Sequence, residues 1–150
     1  MLLNRFSAVM IAGLLAIGAA SALAQEAFTA PATPEAAMAA REQLMKSNGQ
    51  TLRGAGALTG AEAQAAMQTL VANFTNMPAV FPEGSNTGGS EALPAIWENW
   101  AAFTAIIDTG RTAAEQGLAA AETGDATAYG AALKAIGDTC STCHQQFRAD

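Results

Sequence analysis

From Thr33 onward the apolar positions recur in steps of three and four, the period of helices with one buried face. Thr33 offers an N-cap, Pro34 takes the first helical position and Glu35 follows it. A first helix is expected to run to about Arg53, weakened by Gly49 and stopped by "GAGALTG". Met38, Arg41, Met45 and Leu52 fall near one of its faces. A second helix opens at Thr59, where Glu62 three residues on completes a capping box. Its stripe is Ala63, Met67, Leu70, Val71, Phe74 and Met77, and Pro78 ends it. "AVFPEGSNTGGSEAL" then reads as the longest break, a loop that either crosses the molecule or lines a site. A third helix is expected from Pro94 to about Glu122, with Trp97, Trp100, Phe103, Ile106, Ile107, Ala114, Leu118 and Ala121 turned inward. Gly110 and Gly117 leave room for a neighbour to approach, and Gly124 supplies a stop. The fourth helix starts at Asp125, and Tyr129, Leu133, Ile136, Cys140, Cys143, His144 and Phe147 again step by three and four.

Val, Ile and Thr form no alternating runs, so strands are not expected. Helices of about 18–28 residues span roughly 27–42 Å each. Short breaks after the first and third make antiparallel neighbours of each pair. An all-α, antiparallel four-helix bundle follows.

The residues before Thr33 have a different character. In "MLLNRFSAVMIAGLLAIGAASALAQ", Arg5 precedes an apolar run, and Ala22-Leu23-Ala24 fits a cleavage site. Residues 1–24 are therefore expected to be a secretory signal peptide, with a retained anchor as the other reading, and 25–150 to be a single mature domain. No second stretch is apolar enough to span a bilayer. Removing Arg5 leaves six cations against thirteen anions, a net charge of −7. Such a surface does not favour nucleic acid or anionic lipid. Export in a chain of this style points to the periplasm. That compartment is oxidising, so both cysteines need a chemical assignment.

Both cysteines and the only histidine lie in "DTCSTCHQQFRAD". Cys140, Cys143 and His144 share one helical face, because positions i, i+3 and i+4 are neighbours. Cys-x-x-Cys-His is the attachment signature of c-type haem. Two thiols so spaced can add to the two vinyl groups of one porphyrin, with the imidazole beside them aimed at the iron. A thioredoxin-like pair opens a helix after a strand, whereas this pair closes a helix. A zinc site lacks a fourth ligand. One covalently bound haem c is the expected cofactor.

With this motif at the C-terminal end of four helices, the chain resembles class II cytochromes c, the cytochrome c′ family, over essentially the whole mature domain. "REQLMKSNGQTLRGAGAL", "VFPEGSNTGG" and "PAIWENWAAF" carry further likeness. The resemblance implies thioethers at Cys140 and Cys143 and a proximal iron ligand at His144. It places Arg148 beside the proximal histidine, where the residue also reads as an ordinary cation at a helix C-terminus. Arg41 falls where the family has an arginine near a haem propionate. Glu42 stands where glutamine is common, and a carboxylate there would repel the propionate. Ser85 and Asn86 lie in the loop that edges the haem. Met45 falls where the family places the residue that faces the distal iron site. There it either ligates iron, as in the low-spin branch, or covers an open sixth position.

A methionine thioether raises the reduction potential and suits electron transfer with a partner protein. An open distal pocket suits NO or CO binding. The favoured reading is a periplasmic electron carrier rather than an enzyme, with gas binding as the alternative. A peroxidase ranks last, since no second histidine exists to act as a distal base. Trp97, Trp100 and Tyr129 read as core packing before electron relay. The resemblance also allows a homodimer through the first two helices.

Overall fold

The computed structural model describes residues 28–149; the signal peptide expected at 1–24 lies outside the described residues. Five helices follow in order: α1 (Pro34–Ala55), α2 (Gly60–Asn76), α3 (Ala95–Glu98), α4 (Trp100–Thr123) and α5 (Ala126–Phe147). A 3₁₀ turn, Met77–Val80, extends α2 through Pro78. The four long helices form an antiparallel bundle, and no β-strand occurs among the described residues. An isolated antiparallel bridge joins Ala92 to Arg148.

The helix ends follow local chemistry. Thr33 Oγ1 accepts from the Ala36 amide at 3.2 Å and Asp125 Oδ1 from the Ala128 amide at 2.9 Å, so both caps satisfy a free helix N–H. Gly124 closes α4 in the left-handed conformation at φ 74°. The capping box expected at Thr59 does not form, as Thr59 makes no side-chain cap bond. The adjacent Gly60 takes φ 54°, which turns the entering chain away from the geometry that presents the hydroxyl to the first-turn amides.

The helix expected from Pro94 to Glu122 is broken at Asn99, which takes φ −131° and ψ 52°. The break resets the helical phase. Ile96 stays buried, and Trp97 Nε1 donates to the Phe81 carbonyl at 3.0 Å. Trp100, expected inward, is instead 38% exposed, with its ring 5.4 Å from that of Phe103.

Met67, Leu70, Phe103, Ile107 and Ile136 centre the core. Each such side chain contributes about 1.5–3 kcal/mol on burial. α4 packs closely on α2 and α5, and Gly110 and Gly117 make the first of these contacts possible. A Cβ at Gly110 would lie 2.4 Å from Phe74 Cε1, and one at Gly117 would lie 2.6 Å from Met67 Sδ. α1 packs on α2 and the 3₁₀ turn but touches α5 sparsely. At the far end of that pair Tyr129 donates to the Ala55 carbonyl at 3.2 Å. Towards the other end the two helices diverge around open space.

Candidate functional site

That space holds two cavities. One, of about 350 Å³, is lined by Met38, Arg41, Glu42, Met45, Phe81, the loop residues Gly89–Ala92, and Cys143, His144, Phe147 and Arg148. The other, of about 170 Å³, is almost wholly apolar, with Leu70, Phe74, Met77, Ile107 and Ile136 beside Cys140. Met45, Cys143 and His144 border both. The helical steps along α1 and α5 therefore bring together residues about a hundred positions apart.

Cys140 and Cys143 are free and half-buried. Burial raises the pKa of both thiols, and Cys140 adds to the push on Cys143, which reaches about 11. Both are thus protonated at neutral pH, the opposite of the lowered thiol pKa of a redox pair. His144 is exposed at the cavity edge. Desolvation, then the charge of Arg148, lowers its pKa, while Glu91 raises it. The net lowering favours the neutral imidazole, which has a lone pair for a metal. Among the described residues no group of three or more His, Cys, Asp or Glu could hold a bare metal ion.

Arg41 is buried and stacks over the Phe81 ring at 4.1 Å. Its guanidinium donates to the Val80 carbonyl, to the Ser85 carbonyl and hydroxyl, and to Ser90 Oγ. Desolvation lowers its pKa, and Glu42 opposes that. Glu42 is exposed at the cavity rim. Ser85 is buried within the loop as an Arg41 partner, and Asn86 is exposed; neither lines either cavity. The loop reaches the cavity instead through Gly89, Ser90, Glu91 and Ala92. Ser90 and Glu91 are the polar residues missed by sequence reasoning; only their place in the quoted loop pointed to them. Arg148 leaves the helix at the cavity rim, and its Nε meets Glu91 Oε2 at 2.9 Å.

These residues fit an amphipathic macrocycle. An apolar cavity and a charged rim meet at two protonated thiols and an imidazole, and no buried side-chain polar atom lacks a partner among the described residues. Electrostatics also suit carboxylates at the rim, where Arg41 and Arg148 supply cations.

The family model described as Cytochrome C' matches residues 19–148. Cytochrome c' of Rhodospirillum rubrum is 38% identical over 114 residues, covering 75% of this chain and 77% of that protein. Cytochrome c-556 of Agrobacterium fabrum is 34% identical over 155 residues, covering 99% and 97%. Among solved structures, cytochrome c' from Thermochromatium tepidum superposes with a TM-score of 0.72 at 25% identity, over 79% of this chain and 98% of that one. A nitric oxide complex of a cytochrome c prime variant from Alcaligenes xylosoxidans gives 0.69 at 25%, over 80% and 98%.

Proposed function

The chain belongs to the cytochrome c′ family, and on that premise we propose that it is an exported electron carrier whose haem is held by Cys140, Cys143 and His144. Like its family, it binds one haem c covalently. When bound, that group supplies one-electron redox chemistry at its iron. The observation that carries the reading is the position of Met45. It is half-buried on α1, and it borders both cavities together with Cys143 and His144 on α5.

In this reading Cys140 and Cys143 would form the thioethers and His144 would ligate the iron. Met45 would offer its sulfur as a further ligand from α1, which would stabilise the reduced state. Leu70, Phe74, Ile107 and Ile136 keep water from the macrocycle, and Arg41 and Arg148 offset carboxylate charge at the rim. The leader-like sequence of residues 1–24 supports export to the periplasm, where the redox partner would be met.

A second reading is gas binding, with Met45 covering an open sixth position. The nitric oxide complex of the Alcaligenes relative favours it. Optical spectra of the ferric and ferrous protein, with and without CO, separate the two. Electron transfer through a Met45-ligated iron predicts low-spin spectra that CO leaves unchanged. Met45→Ala should then give high-spin spectra and ready CO binding. A high-spin parent protein that takes up CO at once would sink the ligation of Met45 and leave gas binding standing.

A further inference from the structure

α1 and α5 carry the two sides of the site, yet they touch each other little. At the site end their hydrogen-bonded connection runs through the loop. On the α1 side Arg41 donates to Val80, Ser85 and Ser90, the shortest of these bonds being 2.6 Å to Ser85 Oγ. Val80 and Ser85 are buried, at 0% and 1% exposure, so water does not compete for these bonds. On the α5 side the Leu93 amide donates to the Phe147 carbonyl at 3.0 Å, and the Ala149 amide to the Glu91 carbonyl at 2.8 Å. Ser90 links the two halves: its Oγ accepts from Arg41 at 2.9 Å and from the Ala92 amide at 3.2 Å. A chain of edge-to-face rings runs alongside, from Phe81 beneath the Arg41 guanidinium, to Phe103 at 4.8 Å and on to Phe147 at 5.3 Å.

We propose that residues 80–93 are a strap that sets the separation of α1 and α5 around the haem, with Arg41 and Ser85 as the positioning residues that fasten it to α1. Met45 lies one turn beyond Arg41 on the same face of α1. His144 lies one turn before the bridge that ties Arg148 to Ala92. The strap therefore fixes how firmly Met45 is held against the distal side. The guanidinium donates to loop oxygens throughout, so Arg41 fastens the loop as well as supplying positive charge at the rim. The inference rests on the assignment of Cys140, Cys143 and His144 to the haem. It does not depend on whether Met45 binds the iron or only covers it, since an incoming ligand must move Met45 in either case.

The test is stopped-flow binding of nitric oxide to the ferrous holoprotein, paired with amide hydrogen exchange. Ser85→Ala is the deciding variant, because Ser85 lines neither cavity and cannot act on the haem directly. Ser85→Ala should raise the nitric oxide association rate by roughly fivefold, the scale of one net hydrogen bond. Exchange at the Leu93 and Ala149 amides, at the opposite fastening, should quicken with it. Arg41→Met should exceed that effect, and adding Ser85→Ala to it should change little, because both cut one path. If Arg41→Met alone speeds binding while Ser85→Ala matches the parent, Arg41 acts on the haem and the strap is refuted. Unchanged rates in both variants, or faster binding with the far amides still protected, overturn it as well. Should Arg41→Met fail to fold, Ser85→Ala decides alone.

Discussion

The Tyr129 hydroxyl is buried at the end of the bundle far from the two cavities, where it donates to the Ala55 carbonyl. Burial pushes its pKa above the ordinary value of about 10. The folded protein thus keeps this proton at a pH where the unfolded chain releases it. The resulting stability is fully present below about pH 10 and falls as pH rises through the higher folded value. Tyr129→Phe should cost about 1 kcal/mol at neutral pH, and the gap from the parent should shrink above pH 10 in urea titrations. A gap that stays constant to pH 11 would show that the hydroxyl contributes nothing to the alkaline limb. Arg41 shows how far single residues were legible. Its helical spacing marked it as inward-facing, and the structure buries it. Its partners are 39 to 49 residues away in the chain, in a loop with no periodicity, so no local pattern could name them. The proposed haem attachment at Cys140, Cys143 and His144 could be read from the sequence because its constellation is local, confined to two turns of one helix.

At the scale of elements, periodicity located the long helices, and the places where it failed have local causes. The break at Asn99 lies inside an apolar stretch that reads equally well as one helix. Only the burial of Ile96 and the bond from Trp97 to Phe81 settle the phase before it. At Thr59 the capping sequence is present, but the backbone of Gly60 does not allow its geometry. The two α4 glycines were legible as points of close approach, and the structure separates them in kind. At Gly110 an added methyl meets the ring of Phe74, which is rigid and 3% exposed. At Gly117 it meets the sulfur of Met67, the flexible part of a side chain that can turn aside, and lies 3.2 Å from Ala132 Cβ on α5, which need give by only a few tenths of an ångström. Gly110→Ala should therefore lose about 1–3 kcal/mol through overpacking, more than the roughly 1 kcal/mol that alanine gains in a helix. Gly117→Ala should lose less. Thermal unfolding of the two variants checks the order. Equal losses would mean that α2 shifts as a whole, rather than one side chain giving way.

At the scale of the molecule, the bundle is closed on three sides and open on the fourth. α1 packs on α2, α2 on α4 and α4 on α5, whereas α1 and α5 meet sparsely. The space between them is apolar on one side and charged at its rim, and water is a poor filler for the apolar part. The covalent haem is therefore expected to complete the fourth interface, and its loss should be felt by α1 before the other helices. α4 and α5 keep their mutual packing, whereas α1 retains only α2, the 3₁₀ turn, the strap and the Tyr129 bond. Replacing both thiols, Cys140→Ser with Cys143→Ser, should give protein that releases its haem under denaturing acid extraction. In the haem-free form, amide exchange should rise first in α1 from Glu35 to Asn48, with α4 and the start of α5 still protected. Haem that stays with the doubly substituted chain through denaturation would remove the thioether assignment. Uniform loss of protection across all four helices would instead show that the haem supports the core as a whole through the α2 and α4 side chains that also line the apolar cavity, rather than one face.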